Sequence, residues 1–187
     1  MTDFISAFNQ LSNLSETAAE GLQQYLTEKS FDKGEFLLRS GETCKKLYFI
    51  NEGLTKTFFT KDDKEFIMRF FPEKTLFTVV NSFEMQVPST YEIMALEKTS
   101  VTFLFKTDLE ALCREHHCIE TAFRKLLSIA TINMMKRISE MLEENARERY
   151  EHFLKDNGLL LQRISLGDLA NYLGITQVSL SRIRANK

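Results

Sequence analysis

At 187 residues, 43% hydrophobic and 27% charged, the chain has the composition of an ordinary soluble globular protein, and its length suits one medium domain plus one small one. No apolar run reaches the roughly 18 residues that cross a bilayer. The opening "MTDFISAFNQLSNLS" has no basic region or apolar core of a secretory leader, so a cytoplasmic protein is expected, with Cys44, Cys113 and Cys118 as reduced thiols. The net charge of -2 conceals an asymmetry: from Leu159 onward Arg163, Arg182, Arg184 and Lys187 stand against Asp168 alone. A basic end on an acidic body fits a nucleic-acid contact confined to that end.

Residues 1–29 read as a helical lead-in, with Ser15 and Glu16 as start signals for a helix carrying Ala18, Leu22, Tyr25 and Leu26 at helical spacing. From Phe31 to Phe105 the period changes to two. "EFLLRSG", "KLYFINEG", "LTKTFFT", "EFIMRFF", "STYEIMALE" and "SVTFLF" are short, aromatic or β-branched, and separated by turns, which predicts a small β-sandwich or jelly roll. Asp62 and Asp63 mark the tip of one hairpin.

After Phe105 the pattern is helical to the end. "TDLEALCREH" predicts a short helix capped by Thr107. "IETAFRKLLSIATINMMKRISEMLEEN" then predicts a helix of more than seven turns without Gly or Pro. Phe123, Leu127, Ala130, Met134, Ile138 and Met141 form one stripe on it, flanked by Leu126, Ile129, Ile132, Met135 and Leu142. So much apolar surface calls for partners on two sides, the β-region on one and the same helix of a second subunit on the other. "ARERYEHFLKDNG" predicts a further helix ended by Gly158.

The last stretch, "ISLGDLANYLGITQVSLSRIRANK", satisfies the packing demands of a helix-turn-helix. Ser165 and Asp168 give a start signature, and Leu169, Ala170 and Leu173 an inward face. Gly174 falls where the turn needs a positive φ. Ile175 plugs the corner, Thr176 caps the second helix, and Leu180 and Ile183 point inward. That leaves Thr176, Gln177, Val178, Ser179, Ser181, Arg182 and Arg184 as candidate DNA contacts, with Lys187 beyond them. Arg182 and Gln177 are suited to bases, and Arg184, Lys187 and Thr176 to phosphates.

With these parts in this order the chain resembles, over essentially its whole length, the CRP/FNR superfamily of bacterial transcription regulators. The resemblance rests on "KGEFLLRSGETCKKLYFINEG", whose Gly34, Gly41 and Gly53 stand at the turns of the family's cyclic-nucleotide-binding-type fold, and on "LANYLGITQVSLSRIR". The fold class it implies is α+β: an N-terminal antiparallel β jelly roll, a long dimerisation helix and a C-terminal helix-turn-helix domain. The implied boundaries are a cyclic-nucleotide-binding-like β-barrel sensor domain over residues 1–117, a dimerisation helix over 118–144 and a DNA-binding domain over 145–187. A homodimer joined through the Phe123-to-Met141 stripe would set two heads on an inverted-repeat operator in double-stranded DNA, its half-sites about 34 Å apart. RNA polymerase is a further partner implied by the family.

Departures from the family pattern carry their own expectations. Nucleotide-responsive members hold the cyclic phosphate with a Gly-Glu pair and an Arg-Ser/Thr pair. Here the first region reads Glu73-Lys74-Thr75, and Ser89-Thr90 replaces the second. Glycine and arginine are both missing, so cyclic AMP is not expected to bind tightly. An unidentified small-molecule effector could use Lys74, Thr75, Ser89, Thr90 and Tyr91, with Phe70, Phe71, Phe77 and Phe83 nearby. The family's Arg-Glu pair early in the second helix is Gln177-Val178 here, so base preference should differ. The chain stops where many members add a β-hairpin, which places specific affinity toward the weak end of roughly 10⁻⁸ to 10⁻¹¹ M.

Enzymatic chemistry finds no footing in the sequence. His116, His117 and His152 all lie outside the β-region, against a metal-dependent barrel enzyme, and no nucleophile–base or phosphate-cradling glycine motif is present. No cysteine precedes Cys44, so the iron–sulfur cluster of the family's oxygen sensors has no ligand set. "CREHHC" places Cys113 and His117 at helical spacing with Cys118 beside them, but reads as a structural junction. No metal or cofactor is therefore expected. The rival reading is a ligand-binding or protein-interaction module whose C-terminal helices contact a protein partner.

Overall fold

A computed structural model describes residues 3–185. Helices α1 (Asp3–Leu11) and α2 (Glu16–Tyr25) open the chain, and the Ser15 hydroxyl caps α2 by accepting from the Ala18 N–H. Eight strands follow: β1 (Thr27–Phe31), β2 (Phe36–Leu38), β3 (Lys46–Glu52), β4 (Thr55–Lys61), β5 (Lys64–Phe71), β6 (Leu76–Phe77), β7 (Glu92–Ala95) and β8 (Thr99–Phe105). A short helix, α3 (Val80–Met85), separates β6 from β7. The strands form two four-stranded antiparallel sheets, ordered β1-β8-β3-β6 and β2-β7-β4-β5, the jelly roll that the alternating pattern predicts. β1 begins within the stretch read as helical. Its "TEKSF" is exposed at four of five positions, and an edge strand of that kind lacks the apolar alternation that reveals a half-buried one.

Two turns set the geometry. Asp62 and Asp63 both take positive φ (49° and 57°) between the paired Lys61 and Lys64, a two-residue hairpin whose twist matches its strands. Gly53 has φ 98°, and a Cβ there would fall 2.6 Å from the Lys98 carbonyl oxygen, so the β3–β4 corner admits only glycine.

The helices that follow are α4 (Lys106–Glu115), α5 (His117–Glu143), α6 (Ala146–Asn157), α7 (Leu166–Leu173) and α8 (Gln177–Ala185). Thr107 is not the cap of α4. The chain runs directly from β8 into the helix with Phe105 at the cap position, and the Lys106 N–H donates to the Lys45 carbonyl instead. Nor does Gly158 stop α6 in a left-handed conformation: its φ is -54°, and the chain continues into a 3₁₀ turn, Gly158–Gln162, that buries Leu160.

Two apolar cores result. The first joins α1, α2, α4 and the start of α5 to the barrel. In the second, Leu54, Phe58, Ile67 and Phe70 of the β3–β4 corner, β4 and β5 pack against Tyr150, Phe153, Leu160, Leu169, Ala170, Leu173 and Leu180. The C-terminal helices thus rest on the barrel's β4–β5 face. Among the described residues no helix is long and apolar enough to cross a membrane.

Candidate nucleic-acid interface

Helices α7 and α8 are built as their sequence predicts. Ser165 and Asp168 form a capping box at the start of α7, each side chain bonding the other's backbone N–H. Gly174 ends α7 at φ 69°, its N–H reaching the carbonyls of Ala170 and Asn171. The Thr176 hydroxyl accepts from the Ser179 N–H at 3.1 Å, so Thr176 caps α8. Leu180 is fully buried and anchors α8 across α7, while Ile183 is partly buried beside it. Thr176, Gln177, Val178, Ser181, Arg182 and Arg184 are exposed, and Ser179 is half-buried. Val178 is 61% exposed, an unusual display of an aliphatic side chain on a helix whose other face is packed. Gln177 lies against Gly167, where any Cβ would come within 3.0 Å of its amide nitrogen. Lys187 lies outside the described residues.

Helix α7 is held from several directions. At its N-terminus the buried ammonium of Lys56, on β4, donates to Asp168 at 2.8 Å and to Glu65 at 2.6 Å. Burial opposes ionisation of Asp168, but hydrogen bonds from Lys56 and Ser165 outweigh it and leave the carboxyl below its ordinary pKa. Asn171 donates to Glu65 as well. Just before α7, Arg163 donates through both terminal nitrogens to the two oxygens of Glu73, at 2.9 and 2.7 Å, and also to Glu97. That pairing, helped by the Gly53 N–H, pulls the Glu73 carboxyl down to about 2. At the other end of α7, Arg137 of α5 donates to the Tyr172 carbonyl and Arg149 of α6 to the Leu173 carbonyl. Two guanidinium groups therefore satisfy carbonyls that the last turn leaves open. Phe70, Phe153 and Tyr172 pack edge-on or tilted at 5.2 to 6.2 Å around the same helix.

The residues expected to form an effector pocket lie in two segments, Lys74 and Thr75 before β6 and Ser89, Thr90 and Tyr91 before β7. The Thr75 carbonyl accepts from the Ile50 N–H, whereas the Ser89 N–H donates to the Glu42 carbonyl. Lys74 sits exposed in a left-handed turn, and Thr90 is exposed. The Ser89 hydroxyl is used locally, accepting from the Tyr91 N–H and donating to the Tyr91 carbonyl. Aromatic rings bridge the two sheets: Phe71 stacks on Phe77 at 4.0 Å, Phe77 on Tyr48 at 5.5 Å, and the Tyr48 hydroxyl reaches across to the Leu37 carbonyl. Phe70 instead faces the C-terminal helices, and Phe83 packs on Phe123. A surface cleft of about 460 Å³ opens elsewhere, among Lys45, Glu84, Gln86, Phe105, Lys106 and Glu110.

The apolar residues of α5 divide between packed and exposed positions. Phe123 packs inward on Phe83, Leu127 and Ala130 are half-buried, and Met141 reaches Gly174. Met134 and Ile138 are exposed at 47% and 52%, but Ile132 (65%), Met135 (65%) and Leu142 (80%) are more so. The exposed apolar face therefore takes in members of both sets, with Ile132, Met135 and Leu142 the most open. Cys113 and His117 do not share a helix, since the break at His116 separates α4 from α5. Burial pushes the Cys113 thiol up to about 11, the opposite of a reactive thiolate.

Reading the sequence missed Lys56, Glu73 and Arg163 as interdomain contacts. Only Lys56 left a local signal, a lysine on the same strand face as Leu54 and Phe58.

The fold and these contacts define a two-sheet β-barrel with C-terminal helices docked on one face. Residues 28–116 match the family model "Cyclic nucleotide-binding domain". No curated protein matches the chain by sequence. Among solved structures, FixK2 from Bradyrhizobium japonicum superposes with TM-score 0.75 at 19% identity, covering 86% of this chain and 83% of that one. CooA from Carboxydothermus hydrogenoformans, solved as a mutant, gives 0.71 at 16% identity, covering 89% and 78%. The catabolite activator protein of Thermus thermophilus gives 0.61 at 20% identity, covering 96% and 85%. A regulator assigned to the CRP/FNR family from Eubacterium rectale gives 0.73 at 15% identity, covering 91% and 82%. At such identities the likeness is one of fold, and it extends from the barrel through the C-terminal helices.

Proposed function

We propose that the protein is a homodimeric, DNA-binding transcription regulator of the CRP/FNR type, cytoplasmic and without catalytic activity. In this reading residues 1–117 form the barrel domain, 118–144 the dimerisation helix and 145–187 the DNA-binding domain. The observation that carries it is the presentation of α8. Leu180 pins the helix to α7, while Gln177, Val178, Ser181, Arg182 and Arg184 project from a surface that none of the described residues covers. An amide, an aliphatic, a hydroxyl and two guanidinium groups on one exposed helix are the donors, acceptors and methyls that major-groove base edges and phosphates pair with.

Dimerisation along the Ile132, Met135 and Leu142 face would place two α8 helices for an inverted repeat. The lack of glycine in Glu73-Lys74-Thr75 and of arginine in Ser89-Thr90 supports a regulator that does not respond to cyclic AMP. RNA polymerase is the partner such a regulator would meet at a promoter. The test is selection of binding sites from random duplex DNA, followed by affinity measurement on the selected site. Enrichment of an inverted repeat is expected. Recovery of no sequence, with the C-terminal helices instead retaining a protein, would favour the protein-interaction reading.

A further inference from the structure

We infer that Lys56 and Arg163 are positioning residues for DNA recognition: the barrel is a bracket that fixes the angle of the reading helices, and so sets the operator spacing the dimer accepts. The inference rests on the DNA-binding reading above and goes beyond it to what governs the geometry of binding.

Apolar contact alone leaves two packed elements free to slide, because it has no directional term. The contact between the barrel and α7 is different. Arg163 grips Glu73 through two parallel hydrogen bonds and takes Glu97 as well, so one side chain spans the β5–β6 and β7–β8 turns of the barrel. A two-point guanidinium–carboxylate pair fixes orientation as well as distance. Lys56 adds a second anchor through Glu65 and Asp168, and its side chain is only 5% exposed, which shields that pair from salt. Arg137 then ties the far end of α7 to α5. Helix α7 is thereby fixed to both the barrel and the long helix.

None of these anchors touches α8. The charged anchors act on α7 or just before it, and the reading side chains of α8 remain exposed. The docked pose therefore leaves the reading side chains uncovered. In a dimer, the separation and twist of the two α8 helices are inherited from the angle between α7 and α5. A bracketed head should tolerate one half-site spacing, whereas a released head should tolerate several.

The test uses the full-length protein and an inverted repeat selected by the wild type from random DNA. Spacers one and two base pairs longer or shorter are then compared by fluorescence anisotropy. Wild type should lose about tenfold or more in affinity per altered spacer, comparable to a mismatched base pair. Arg163→Gln should bind the best site within about threefold of wild type and discriminate between spacers by about threefold or less, consistent with loss of positioning and retention of base contacts. Lys56→Gln should behave likewise. Arg163 is the safer probe because its partners are partly exposed. Light scattering establishes that each variant retains the wild-type oligomeric state. Unchanged spacer discrimination in Arg163→Gln overturns the bracket while leaving DNA binding intact. A wild type indifferent to spacing overturns it too, and a wild type that selects no DNA overturns both this inference and the reading beneath it.

Discussion

At the residue scale the interdomain contact turns on a few charged groups. Lys56 is buried between two carboxylates, so Lys56→Ala leaves Glu65 and Asp168 facing each other without a cation. Loss of a buried partner of this kind is expected to cost about 3 kcal/mol, measurable by urea unfolding. Glu73 carries a pH signature. Its folded pKa of about 2 lies below the ordinary 4.5, so the pairing stabilises fully above pH 4.5 and is lost as pH falls toward 2. Glu73→Gln should therefore flatten the acid limb of a melting-temperature profile between those values and leave the neutral plateau lower. On the reading helix, Arg182→Ala should cost about 1–3 kcal/mol of binding and relax choice at one base pair, seen by repeating the site selection. Ser15, Ser165, Gly174 and Thr176 were legible in the sequence because caps and turns are decided within four residues. The Arg163–Glu73 pair was not, since its partners stand 90 positions apart and nothing local joins them.

At the element scale the same contrast holds. Six of the eight strands (β2, β3, β4, β5, β7 and β8) and the five later helices follow from hydrophobic period, but period alone cannot say which side of a helix meets its own barrel. For α5, two apolar sets were visible, and only packing showed that Phe123 turns inward while Ile132, Met135 and Leu142 stay free. Met135→Glu should consequently convert the dimer to a monomer in light scattering. Phe123→Ala should instead lower stability by about 3 kcal/mol and leave the dimer intact. The start of α4 and the passage through Gly158 escaped the sequence for a related reason. In each, a tertiary demand, the Lys45 carbonyl or the pocket for Leu160, replaced the local signal.

At the scale of the whole molecule, the barrel packs against the C-terminal helices through β4 and β5. Phe71, Phe77 and Tyr48 link the sheets, and neither Glu73-Lys74-Thr75 nor Ser89-Thr90 carries the glycine or arginine of a phosphate cradle. Calorimetric titration with cyclic AMP should show no saturable heat. The jelly roll was legible because its strands are short and evenly punctuated. The docking of the C-terminal helices on β4 and β5 was not, because Leu54, Phe58 and Phe70 read as core of either kind. The most direct test of the account is salt-dependent affinity for the selected operator, wild type beside Arg184→Ala. A logarithmic plot should fall steeply with salt, and Arg184→Ala should reduce its slope by about one while preserving sequence choice. A flat plot, or a slope unmoved by loss of Arg184, would contradict a DNA-reading role for α8.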